Sequence, residues 1–132
     1  MIPEPISLVI VESQPLMLTA LSTAFSAEGM TILAEVSKNR DALQIAVKLN
    51  PDLILFSLGQ PGKEDLERIS VLRQKLPAAS IVALISGEIC GQSQAALDYG
   101  AHLAVSKAVS RSDLLSTIQG MLQKKNYPVT IH

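Results

Sequence analysis

Cysteine is almost missing from this 132-residue chain, and Cys90 stands alone. No intrachain disulfide and no cysteine-based metal site can be built from it. Charge is sparse and nearly balanced, at 17% of residues and a formal net charge of −1. A surface that grips duplex phosphates needs clustered Lys and Arg, and the chain has no such cluster. Long hydrophobic runs are lacking too. The longest uncharged stretch, residues 13–27, is interrupted by Ser, Gln and Thr, short of the roughly 18 consecutive apolar residues of a membrane span. The opening MIPEPISLVIVE carries no basic region of the kind that begins a signal peptide. These absences lead us to expect a soluble, cytoplasmic protein with no membrane or direct nucleic-acid contact.

What the chain does have is apolar side chains, 48% of residues, with a mean hydropathy of +0.31. Disorder is excluded, since it requires low hydrophobicity with high net charge. The length suits one domain. Residues 1–66 hold four basic and eight acidic residues, and residues 67–132 hold seven and four. This asymmetry reads mainly as solvated faces, with a partner surface as the alternative.

Short apolar runs alternate with helical stripes. Ile6-Ser7-Leu8-Val9-Ile10-Val11 is the β-branched run of a strand covered on both faces. Met17, Leu21, Ala24, Phe25 and Glu28 form a helical stripe that opens at Pro15 and stops at Gly29. Further strands are expected at 31–36, 53–56, 81–85 (closed by Gly87) and 103–106. Helices carry Leu43, Ala46 and Val47; Leu66, Ile69, Leu72 and Leu76; residues 92–99, capped by Gly100; and Leu114, Ile118, Met121 and Leu122. The second ends before Pro51, because a residue preceding proline avoids the helical region. Ser110-Arg111-Ser112-Asp113 resembles a capping box that opens the last helix.

Five strands alternating with five helices imply right-handed crossovers and a parallel sheet. The expected fold is a three-layer α/β/α sandwich of flavodoxin-like topology, strand order 2-1-3-4-5, since a barrel would need eight strands. The domain is assigned to residues 1–125. Residues 126–132, with Pro128 and no helical stripe, read as a free end or the start of a linker.

Ligands of an open parallel sheet bind beyond the carboxyl ends of its strands. Those ends are Glu12 and Ser13, then Ser57 and Leu58, then Ser86 and Gly87, then Ser106 and Lys107. The motifs LVIVESQP, LILFSLGQPG, IVALIS, YGA and VSK stand in register at these ends. Over about residues 5–125 they resemble the receiver domains of two-component response regulators. The run Lys107-Ala108-Val109-Ser110, with no proline after the lysine, resembles receivers that precede a helix-turn-helix output domain.

The resemblance carries over unevenly. The family's two adjacent carboxylates for Mg²⁺ fall on Glu12, which is kept, and Ser13, which is not. Its phosphoacceptor aspartate falls on Ser57, its hydroxyl switch on Ser86, its lysine on Lys107, and its switch aromatic on Ala104. A carboxylate attacks phosphorus already ionised, whereas a serine hydroxyl needs a base. Mg²⁺ wants hard anionic oxygens, so its binding is expected to be weak or lost. The implied function is a degenerate receiver in phosphorelay signalling or transcription regulation, not an enzyme and without aspartyl phosphorylation. It would act through protein contacts with a second copy, a sensor kinase or an output domain. Two alternatives stand beside it: the regulatory half of a DNA-binding regulator, and a small-ligand binder or enzyme at the strand-end pocket.

Losing two carboxylates also relieves like-charge repulsion. Lys107 is expected to pair with Glu12 and to donate to Ser57 or Ser86, locking one conformation. A Ser57–Lys107 hydrolytic dyad is conceivable, but no nucleophile elbow supports it. His102 and His132 lack an accompanying carboxylate cluster, so no metal site is expected from them. Cys90 reads as a plain loop residue, and Gly59-x-x-Gly62 as a loop former without the full phosphate-cradling pattern. Ala95, Ala96 and Leu97, beside Leu103 and Ala104, are expected to form a flat apolar patch for partners.

Overall fold

A computed structural model describes residues 5–59, 62–86 and 91–124. Gly87, Cys90, the tail 126–132 and His132 lie outside the described residues. The five strands are β1 (Ser7–Val11), β2 (Thr31–Val36), β3 (Leu53–Ser57), β4 (Ser80–Ile85) and β5 (Leu103–Ser106). They alternate with α1 (Pro15–Ala27), α2 (Ala42–Leu49), α3 (Lys63–Lys75), α4 (Gln92–Tyr99) and α5 (Arg111–Lys124). A single 3-10 turn, Asn39–Asp41, precedes α2. All strand pairs are parallel, in the order β2-β1-β3-β4-β5. This is the expected flavodoxin-like topology.

Local chemistry sets the element ends. Pro15 occupies the first turn of α1, where its missing N–H costs nothing. Asn50 closes α2 in the left-handed conformation, φ 51°, immediately before Pro51. At α5 the Asp113 amide donates to Ser110 Oγ at 3.1 Å, one half of the anticipated capping box.

The sheet separates two cores. Val9, Val11, Ile54, Phe56, Ile81 and Ala83 point toward α2, α3 and α4, while Leu8, Ile10, Leu53, Leu55, Val82 and Leu84 point toward α1 and α5. β3 and β4 are buried along their whole length, which is why they read as continuous apolar runs. β2 lies at the edge and contains an irregularity. Leu8 and Val9 pair with Ile32 and Ala34, so Leu33 is an extra residue, and it is exposed.

The anticipated patch on α4 needs correcting. Ala96 is fully buried, and Ala95 and Ala104 are half-buried. Ala96 faces the core because it lies on the inner stripe of α4, so the exposed apolar side chains of that helix are Leu97 and Tyr99.

Candidate functional site

The strand ends present their residues through ladder bonds that continue past the strands. Glu12 N–H donates to Val36 O at 2.9 Å, Leu58 N–H to Leu84 O at 2.9 Å, and Lys107 N–H to Ile85 O at 2.9 Å. Ser57 closes β3, in register with Leu84. Three residues distant in sequence are thereby fixed side by side at one end of the sheet.

Glu12 is at their centre and is 1% exposed. Ser57 Oγ donates to Glu12 Oε1 at 2.6 Å, and Lys107 Nζ meets the same oxygen at 2.8 Å. The Gln14 amide donates to Oε2 at 3.0 Å. Burial desolvates the carboxylate and pushes its pKa up. The Lys107 and Ser57 hydrogen bonds, the Gln14 amide and the lysine charge outweigh that, leaving Glu12 below its ordinary value of 4.5. Glu12 therefore sits in the site as a carboxylate with both oxygens occupied.

The arrangement differs from the expected one in a single respect. Lys107 pairs with Glu12, but it donates to neither Ser57 nor Ser86; the Ser57 hydroxyl is itself a donor, turned to Glu12. The reason is that Glu12 is the strongest acceptor within reach of both groups. The Ser57–Lys107 dyad is accordingly not assembled, and Ser57 is only 3% exposed. Ser13 is exposed, while Ser86 and Ala104 are half-buried. His102 is engaged structurally, with its Nδ1 accepting from the Ile81 amide at 3.0 Å and its Nε2 against Arg73. Among the described residues, no three His, Cys, Asp or Glu side chains are grouped to hold a metal ion.

A second polar network fixes the chain just after Ser57, and the sequence did not reveal it. Asp65, on the first turn of α3, is 5% exposed. It accepts from Gly59 N–H at 2.7 Å, Asn39 Nδ2 at 2.8 Å and Arg68 Nη1 at 2.8 Å. Asn39 Nδ2 also donates to Ser57 O at 2.9 Å. The chain at Ser57 and Gly59 is thus clamped to both α3 and the 3-10 turn. A Lys-Glu-Asp run at a helix start looks like a solvated first turn, and only Gly59, which leaves room for the carboxylate, hints otherwise. A Cβ at Gly59 would lie 3.1 Å from Asp65 Oδ2.

Among the described residues no helix is long and apolar enough to cross a membrane. The nitrate/nitrite response regulator protein NarL of Escherichia coli K12 is 29% identical over 116 residues, covering 87% of this chain and 54% of the relative. The chain spans about half the length of the curated relatives it matches. Its fold is shared with the LuxR-family two-component response regulator of Aurantimonas sp. SI85-9A1, at a TM-score of 0.81 and 21% identity, over 91% of this chain and 86% of that one. It is shared too with the LuxR-family DNA-binding response regulator of Staphylococcus aureus, at 0.79 and 24%, over 88% and 98%. The family profile "Response regulator receiver domain" matches residues 8–119. With that match over most of the chain, and with the sheet order and strand-end motifs in agreement, the protein belongs to the response regulator receiver domain family of two-component signalling.

Proposed function

We propose that this chain is a pseudo-receiver, a signalling module that works by protein–protein contact from a fixed pocket and without aspartyl phosphorylation. The observation that carries this reading is the hydroxyl of Ser57, at the strand end where the family resemblance puts the acceptor aspartate, donating to a carboxylate already paired with lysine. A hydroxyl so placed is neither ionised nor exposed to a phosphodonor. The donor set does not fit the divalent ion that the fold family implies. Mg²⁺ needs several hard anionic oxygens, and Glu12 offers one carboxylate whose oxygens are taken by Ser57, Lys107 and Gln14. The pocket's formal charge from Glu12 and Lys107 is zero, so it has little attraction for a cation.

The pairing of Glu12 and Lys107 holds one arrangement of the strand ends, and with Ala104 there is no ring to report a change in the pocket. Its partners are a second copy, a kinase or an output domain, and the module has no enzymatic role. A second reading is favoured by the length comparison: the chain is the regulatory half of a longer, cytoplasmic DNA-binding regulator, as the match covers only 54% of its curated relative.

The test is an amide NMR titration with Mg²⁺ and then beryllofluoride, the mimic of an aspartyl phosphate. Unmoved resonances at Glu12, Ser57, Ser86 and Lys107 are expected, and saturable shifts there would overturn the proposal. Ser57→Asp should gain Mg²⁺ affinity; if it gains none, the charge argument is wrong.

A further inference from the structure

On the opposite face of the sheet from α3 and α4, a cavity of about 150 Å³ lies between α1 and the start of α5. Met17, Ala20 and Leu21 of α1, Leu84 of β4 and Leu114 of α5 line it. Its outer side is formed by Val109 and Arg111, both exposed, and Ser106 and Lys107 border it as well. Protein interiors are packed with few voids larger than a water molecule. The space opens to solvent on one side, and Ser106, Lys107 and Arg111 are the polar members of an otherwise hydrocarbon lining, so it suits an apolar ring that keeps a polar group at the mouth.

The wall also carries a charge. Lys107 Nζ is committed to Glu12. Arg111 has no ion pair among the described residues, and no described Asp or Glu borders the cavity. An occupant with a hydrocarbon body and one carboxylate would fill the void and pair with Arg111, whose planar guanidinium suits a carboxylate. We propose that this cavity is a binding site for a small aromatic monocarboxylate, ring inward between α1 and α5 and carboxylate toward Arg111. Such a ligand would touch the lysine that holds Glu12, giving the module a chemical input at the strand ends. The proposal does not rest on the phosphorylation state of Ser57, because neither Mg²⁺ nor a phosphodonor enters its test.

Methyl NMR and thermal melts of the whole chain with benzoate, and separately with benzene, examine it. Benzoate should raise Tm and shift the methyls of Met17, Ala20, Leu21, Leu84 and Val109 saturably. Ala20→Leu, which fills the void, should fold and weaken binding by about tenfold or more; Ala20→Met serves if that variant does not fold. Arg111→Gln should weaken benzoate up to about fivefold while leaving benzene unchanged. The absence of methyl shifts with both ligands would overturn the site, and an apolar side chain of a partner protein would then be the occupant to seek. Equal affinity for benzoate and benzene, or no effect of Arg111→Gln, would overturn the assignment to a carboxylate.

Discussion

Ser57 and Lys107 converge on one oxygen atom, Oε1 of Glu12, at 2.6 and 2.8 Å. One is a neutral donor and the other a cation, so the buried carboxylate is both solvated and neutralised from within the fold. Burying a charge without such partners is costly, and these two contacts offset that cost.

Removing the cation should therefore be severe. Lys107→Met leaves Glu12 as an uncompensated buried charge and is expected to cost about 3–5 kcal/mol in urea unfolding. Adding Glu12→Gln should recover part of the loss, because the two residues form one unit. A cost below ~1 kcal/mol would mean that water reaches the pocket and the ion pair does not organise it.

Acid should loosen the fold in a defined direction. Glu12 is held below its ordinary 4.5 when folded, so the unfolded chain takes up its proton first as pH falls. Its contribution to stability is complete above about pH 5 and drains as pH drops through 4.5 and the folded value below it. The difference in unfolding free energy between the native chain and Glu12→Gln, followed from pH 7 to pH 3, should shrink on acidification. In Lys107→Met the effect should be smaller, since desolvation is then opposed only by Ser57 and Gln14.

The clamp beyond Ser57 has its own signature. Asp65→Ala strips acceptors from Gly59 N–H, Asn39 Nδ2 and Arg68, and should cost about 2–3 kcal/mol. Hydrogen exchange at the Gly59 amide should accelerate well beyond that at Leu58, whose amide bonds Leu84. Equal acceleration at both would show that the loop and β3 open together and that Asp65 is no local latch.

Two glycines separate backbone strain from crowding. Gly29 has φ +85° with open space around it, whereas at Gly100, φ +126°, a Cβ would lie 2.9 Å from Cβ of Arg73. Gly29→Ala is expected to cost about 1–2 kcal/mol, the left-handed penalty alone. Gly100→Ala should lower Tm further, because φ +126° lies outside the left-handed well and α3 must also give way. Equal shifts in Tm would show that Arg73 moves aside freely.

The fold was legible because the central strands are buried on both faces and so spell themselves out as unbroken runs such as Leu53-Ile54-Leu55-Phe56. Helix stops were legible for similarly local reasons, at Gly29 and before Pro51. The strand-end cluster followed from topology, which alone brings residues 12, 57 and 107 together. What escaped was decided by tertiary burial. Asp65 carries the signs of a solvated first turn, and its three donors come from residues 39, 59 and 68. The direction of the Ser57 hydroxyl depends on which acceptor is strongest at the site. No periodicity signals the extra residue in β2 or the void beside Ala20.

That extra residue bears on how the molecule keeps to itself. An outermost strand presents unpaired amides and carbonyls to any passing chain, and regular, flat edges invite sheets to join edge to edge. Beyond Ile32 the free side of β2 is stepped out of phase by Leu33, so a second β2 laid alongside would lose its ladder after a few residues. An apolar side chain exposed at an edge looks like an aggregation hazard, yet here the backbone beneath it is what denies a neighbour the template.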